Sequence, residues 1–274
     1  MNNFVKRTLS GSVFVALIVG SILLSQYSFA IVFVAFCCGA LYEFHKLTNH
    51  QTHVNVKIWL SMLGGFLLFG SSFLYSSGIS NYPFFLFYGV YVIAVFISEL
   101  FRIKTHALNN LAYFVVGQVL IAVPFSALNF ILFVNNWQPL LLLSVFVTIW
   151  VNDSGAYVFG VTFGKHRLFE RISPKKSWEG FVGGAFVALL SGYVFSLLIP
   201  QISLVNWLLF SEVIVVFSTL GDLIESLIKR TINVKDFGNI IPGHGGLLDR
   251  FDSMLLAAPI AFVYLSLLFY QINK

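Results

Sequence analysis

Residues Leu204–Glu225 read LVNWLLFSEVIVVFSTLGDLIE, with a single charge, Glu212, before the acids Asp222 and Glu225. A helix rises 1.5 Å per residue, so about 20 apolar residues cross the ~30 Å hydrocarbon core of a bilayer. The run is a membrane span that ends in carboxylates. Ser226–Asp252 follows as SLIKRTINVKDFGNIIPGHGGLLDRFD, rich in turns and in charges of both signs. A further apolar run begins directly after Asp252.

Working outward, the same apolar pattern recurs along the chain. Nine runs are long enough to be read as spans, near 8–25, 28–47, 57–77, 82–101, 110–133, 138–158, 179–199, 204–224 and 253–271. The 274 residues are 58% hydrophobic and only 10% charged, and mean hydropathy is +0.88. Soluble domains carry about 25% charged residues, so a soluble enzyme and a disordered chain are both excluded. The expected fold is all-α: a polytopic integral membrane bundle of about nine transmembrane helices, forming one domain over 1–274. Residues 1–137 supply the first five spans, and 138–274 supply the motif-bearing helices and loops. The first run is read as a retained span, not a signal peptide, because its apolar stretch is long and a second span follows at once. Cys37 and Cys38 are adjacent within an apolar run and offer neither a disulfide framework nor metal-ligand spacing.

Charge sets the orientation. The links after spans 1, 3, 5 and 7 carry no charge, whereas 15 of the 16 basic residues lie on the alternate side. The positive-inside rule then places the N-terminus in the cytoplasm. The net charge of +5 is thereby a topology signal, and no nucleic-acid partner is expected. Acidic residues contribute little to topology, yet ten of the eleven sit at or near that same face, and seven of those follow residue 169. The chemistry is therefore expected in the second half, in loops near 155–178 and 225–252.

In the later loop, Asp222, Glu225 and Lys229 share one helical face, and Ser226 lies one turn from Asp222. Asp249 and Asp252 open the last span. Spans 8 and 9 are antiparallel neighbours, so Asp222 and Asp249 are expected to face each other. Two carboxylates among Lys229, Arg230, Lys235 and Arg250 point to Mg²⁺ with phosphate, because Mg²⁺ takes one or two protein carboxylates and completes its octahedron with water and phosphate oxygens. Asp222 stands at the negative end of its helix, where a merely structural acid is unfavourable. Gly245 and Gly246 allow backbone N–H groups to approach a phosphate, and His244 precedes them. In the earlier loop, Asp153 lies near the end of a span, and Ser173-Pro174-Lys175-Lys176 precedes the next one. An ionisable residue within a span is a functional candidate. Gly160–His166 fails as a P-loop, since only three residues separate its glycines and His166 replaces Ser/Thr. Glu212, mid-span, would serve a cation-coupled transporter together with Asp153, but the acids concentrate at one surface instead of spreading through the midplane.

The segment Ser226–Asp252 resembles the signature of the phosphatidate cytidylyltransferase (CDP-diglyceride synthase) family. The matching residues are Ser226, Lys229-Arg230, Lys235-Asp236, Gly238, Pro242, His244-Gly245-Gly246, Asp249-Arg250 and Asp252. The upstream Ser-Pro-Lys-Lys run and the Asp153–Tyr157 region are similar to the family too. The resemblance implies a reaction, CTP plus phosphatidate giving CDP-diacylglycerol and pyrophosphate. It also implies Mg²⁺ on Asp222 and Asp249, a homodimer, and a cavity open to the cytoplasm and the lipid of a bacterial plasma (inner) membrane. The expected catalytic residues are Asp222, Asp249, Lys229, Arg230, His244 and Arg250. Substrate binding is expected of Asp153, Ser173, Lys175, Lys176, Ser226, Lys235, Asp236, Gly245 and Gly246. A related lipid kinase that uses CTP would release CDP instead of pyrophosphate.

The orientation has a direct test. Single cysteines at Ser80 or Gln201 should react with a membrane-impermeant thiol reagent in sealed cells, and those at Lys104 or Lys235 should not. Labelling at Lys235→Cys in sealed cells would reverse the topology.

Overall fold

The computed structural model describes residues 3–102, 106–238 and 245–272. The chain begins with α1 (Asn3–Leu24), α2 (Gln26–Thr48), α3 (Ile58–Ser76) and α4 (Phe85–Leu100). A continuous helical rod follows, made of α5 (Ala107–Gly117), a π-turn (Gln118–Ala122) and α6 (Val123–Leu132). Then come α7 (Pro139–Phe163), a hairpin of β1 (Arg167–Phe169) and β2 (Ser173–Ser177), α8 (Trp178–Leu198) and α9 (Leu204–Thr231). A 3₁₀ turn (Leu248–Arg250) leads into α10 (Met254–Ile272).

All nine apolar runs are helical, but seven helices among the described residues are long and apolar enough to cross a membrane: α2, α3, the α5–α6 rod, α7, α8, α9 and α10. The apolar parts of the other two are shorter, Thr8–Leu24 in α1 and Phe85–Leu100 in α4. The protein is thus an all-α, multi-pass membrane protein, and its longest helices overrun the spans read from hydropathy. α7 continues to Phe163 and α9 to Thr231, which shortens both charged loops from their N-terminal sides.

Local chemistry fixes the elements. Ser25 and Ser28 form a reciprocal capping box at the start of α2,. Ser177 and Ser203 cap α8 and α9 by accepting from Gly180 N and Asn206 N,. Pro124 cannot donate to the preceding turn, and the π-turn just before it lets Val123 N donate to Gln118 O, so the rod passes the proline unbroken,. The hairpin was not expected from hydropathy. It pairs Arg167 with Ser177 and Phe169 with Ser173, and Trp178 N donates to His166 O. The Glu179 carboxylate closes its base, accepting from Lys165 N and His166 N and pairing with His166 Nδ1 at 2.6 Å.

Two packing features position the charged end. Phe251, between Arg250 and Asp252, is buried against the rings of Phe14, Phe36 and Phe125, with centroids 5.5, 5.3 and 5.0 Å away. It pins the end of the charged loop into the core. α7 and α8 meet through Gly155, Gly180, Gly183 and Gly184, and a Cβ on Gly184 would lie 2.5 Å from Asn152 Oδ1 and 2.8 Å from Asn152 O. Small residues let membrane helices approach closely, and this contact holds Asn152 and Asp153 beside the hairpin.

Gly184→Ala should therefore destabilise the folded protein by about 1–3 kcal/mol through overpacking against that carbonyl. Gly70→Ala, where a Cβ would meet nothing within 4 Å, should leave stability unchanged. Thermal unfolding in detergent compares the two; equal midpoints would mean that α7 and α8 are not tightly seated.

Candidate active site at the charged end of the bundle

The end of α9 and the β-hairpin face each other. Between them lies a pocket of about 260 Å³ lined by Asn152, Asp153, Tyr157, Lys175, Lys176 and Asp222, with Ala156, Leu168 and Phe181 among its apolar walls. Lys176 Nζ stands 2.6 Å from Asp222 Oδ2, and Ser226 Oγ donates to Asp222 Oδ1 at 3.2 Å. The two charged loops, separate in sequence, thus meet at Asp222.

Two helical turns on from Asp222, Lys229 is buried between two acids. Its Nζ lies 2.5 Å from Glu225 Oε2 and 2.9 Å from Asp249 Oδ1. The other Asp249 oxygen, Oδ2, accepts from Phe237 N at 2.9 Å and Gly246 N at 2.8 Å. Burial alone would raise the Asp249 carboxyl. The Lys229 hydrogen bond and charge, with the two N–H donors, outweigh it and hold the pKa below the usual carboxylate range,.

Asp222 was expected to hold a metal together with Asp249, and the structure also gathers Asp222 with Glu225 and Asp252. The carboxylate oxygens that lie within 4.8 Å of one another belong to Asp222, Glu225 and Asp252. The reason is the 3₁₀ turn: Asp249 lies within it, bound to Lys229 and the loop backbone, while Asp252 follows as the chain enters α10. Asp222 and Glu225, at i and i+3, share a face of α9. The trio fits a hard divalent cation, which takes carboxylate oxygens, and Glu225 Oε1 is buried without a hydrogen-bond partner. Desolvation, then the charge of Asp222 and of Asp153, push the Asp252 carboxyl up to about 7.

Other expected residues divide clearly. Lys175, Lys176 and Asp153 line the pocket, and Ser226 reaches it through Asp222. Lys229 is committed to two acids and is not free for phosphate. The Gly246 N–H, expected to meet a phosphate, donates to Asp249 instead, and Gly245 turns the chain at φ +86°. Ser173 lies on β2, opposite Phe169. Arg230, Lys235, Asp236 and Arg250 are exposed and do not line this pocket; Arg230 reaches Val234 O. His244 lies outside the described residues. Glu225 and Asp252 were not singled out as ligands, although the shared face of Asp222 and Glu225 was visible in the spacing. Glu43 on α2 had no local signal at all, yet its Oε2 accepts from Leu248 N at 2.9 Å.

The model of the cytidylyltransferase family matches residues 5–268. The chain belongs to this family. It is 34% identical over 273 residues to a phosphatidate cytidylyltransferase of Bacillus subtilis, covering 96% of this chain and 97% of that one. Over shorter stretches it is 45% identical to the phosphatidate cytidylyltransferase of Haemophilus influenzae, across 43% of each chain. With that of Staphylococcus aureus the figure is 37%, across 57% of this chain and 62% of the relative. Cytidylyltransferases are nucleotidyl-transferring enzymes, and a pocket carrying both lysines and carboxylates at one end of a membrane bundle suits that chemistry.

Metal titration separates the two acid arrangements. Calorimetry with Mg²⁺ on purified protein should show affinity reduced at least tenfold in Asp222→Asn and Glu225→Gln. Asp249→Asn should stay within about threefold, and a loss as large as that of Asp222→Asn would restore the Asp222–Asp249 pair. Burial and the neighbouring acids raise the Asp252 carboxyl, and ligands must be deprotonated, so protons compete with the ion as pH falls. Affinity should be weaker at pH 6 than at pH 8, and equal affinity at both would remove Asp252 from the site.

Proposed function

We propose that this protein transfers the cytidylyl group of CTP to phosphatidate, giving CDP-diacylglycerol and pyrophosphate. Membership of the family and the names of its relatives support the reaction class and both substrates. The observation that carries the reading is the pocket where Lys175 and Lys176 of the hairpin meet Asp153 of α7 and Asp222 of α9. Cations on a short outer hairpin suit a polyanionic nucleotide arriving from water. The apolar walls at Leu168, Ala156 and Phe181 suit a lipid that carries a phosphate headgroup.

The phosphatidate phosphate is already ionised, so the nucleophile needs no strong general base. One of its oxygens attacks the α-phosphorus of CTP, and the bond from that phosphorus to the oxygen bridging the α- and β-phosphates breaks. Pyrophosphate carries away the electron pair. Catalysis is then positioning and charge neutralisation. Lys175 and Lys176 hold phosphate oxygens at the pocket rim. Lys176 would exchange its Asp222 partner for phosphate. Asp222, Glu225 and Asp252 would hold an ion, read as Mg²⁺, which would supply positive charge to the triphosphate. Ser226 orients Asp222 through its hydroxyl. Lys229 and Asp249 keep the loop and the end of α9 in register, and Arg230, Lys235 and Arg250 provide a basic approach to the pocket. The charge asymmetry supports a cytoplasmic orientation for this end, at the inner leaflet of a bacterial plasma membrane, and the family resemblance supports a homodimer.

The test uses purified protein with radiolabelled CTP, phosphatidate and Mg²⁺. Labelled CDP-diacylglycerol and pyrophosphate should form, and chelation should abolish both. Release of CDP with a phosphorylated lipid would assign a CTP-dependent lipid kinase instead. Changing Lys175 and Lys176 together to Gln should cut turnover at least a hundredfold while the protein still inserts. Near-normal turnover of that double variant would assign the two lysines to topology alone.

A further inference from the structure

Glu43 lies in α2, 205 residues before its partner Leu248, and its side chain is 2% exposed. A carboxylate in such a place is costly unless it is satisfied. Its Oε2 accepts from Leu248 N at 2.9 Å, at the start of the 3₁₀ turn that carries Asp249. Two glycines of the charged loop close over the same carboxylate. A Cβ on Gly246 would stand 2.7 Å from Glu43 Oε2, and the three nearest atoms to a Cβ on Gly238 are all in the Glu43 side chain. The same segments anchor Asp249: Phe237, next to Gly238, and Gly246 itself both donate a backbone N–H to its Oδ2. Glu43 therefore fills the space between the two ends of the loop, and only glycine fits on either side.

From this we infer that Glu43 is a positioning residue for cytidylyl transfer. It fixes the loop against α2, which fixes Asp249, which in turn holds Lys229 against Glu225. The inference rests on the reaction proposed above, but the anchoring itself is measurable without it. α2 belongs to the first half of the chain, so this contact gives the N-terminal helices a part in setting the site.

Two measurements on the full-length protein in detergent test it. In Glu43→Ala, amide hydrogen exchange in peptides covering Leu247–Asp252 should speed up at least tenfold, while peptides of α8 stay as protected as in the parent. Unchanged exchange in that segment would overturn the anchor, whatever reaction the protein performs. In the CTP and phosphatidate assay, kcat of Glu43→Ala should fall at least thirtyfold with KM for CTP within threefold. Glu43→Gln keeps an oxygen to accept from Leu248 N and should remain within fivefold. Gly238→Ala should lose at least tenfold beside Glu43 and less than twofold in the Glu43→Ala background, where the clashing atoms are gone. Turnover of Glu43→Ala within threefold of the parent would sink the positioning role. So would full activity of Gly238→Ala, a variant that tests the same contact even if Glu43→Ala fails to insert. A parent protein that forms no CDP-diacylglycerol would count against the proposed reaction, with the exchange result still deciding the anchor.

Discussion

The buried Lys229 ammonium, held between Glu225 and Asp249, is the constraint from which the arrangement of the charged end follows. Desolvating an ammonium costs several kcal/mol, recovered only when geometry and remaining hydrogen bonds are good, and removing one partner of such a group typically costs about 3–5 kcal/mol. Each acid is therefore tied down in turn. Asp249 takes two backbone N–H donors from opposite ends of the charged loop. Glu225 lies in α9, one turn from Asp222, and Asp222 is reached by Lys176 from the hairpin. A single buried cation thus links α9, the loop and the 3₁₀ turn, and through Asp222 the hairpin.

Anchoring from the apolar side complements this. Phe251 enters a cluster of rings contributed by α1, α2 and α6, while Asp249 and Asp252, on either side of it, turn to separate tasks. Burying a Phe side chain is worth about 1.5–3 kcal/mol, enough to fix the entry to α10 without help from the loop. Asp222 and Glu225 are placed by helix geometry, while Asp249 is held by the loop backbone around this anchored turn, which suits a site whose groups must be held within about half an ångström.

Much of this was legible in the sequence, and the parts that were not have physical reasons. The helices follow from apolar runs because the bilayer leaves the backbone no other way to satisfy its polar groups. The meeting of the Lys175-Lys176 loop with Asp222 was expected only as a shared surface, and the contact at 2.6 Å appears once the hairpin folds. The hairpin itself was hidden, since Pro174, Lys175 and Lys176 give no apolar alternation. The grouping of Asp222 with Glu225 and Asp252 was missed because antiparallel helices bring their ends together without fixing which carboxylates converge, and the short 3₁₀ turn before α10 carries Asp252 to the other two. Glu43 was invisible because its partner lies 205 residues away. No local period records a contact of that kind, and a lone acid within an apolar run reads as an isolated charge.

A site for two polyanions inside a membrane protein faces an electrostatic conflict. Cations strong enough to hold a triphosphate and a phosphatidate headgroup would repel one another if packed into the bundle. The sequence places Lys175 and Lys176 on the hairpin, where water screens them, and puts Asp222 and Glu225 within α9, about two turns before its end at Thr231. Three acids within 4.8 Å repel each other too, and burial first, then the charges of Asp222 and Asp153, raise the Asp252 carboxyl. That unfavourable state is the useful one. A cluster that must either take up a proton or bind a cation would favour a divalent ion, which would supply positive charge beside the phosphates. Lys229 cannot do this itself, because its charge is already spent on Glu225 and Asp249.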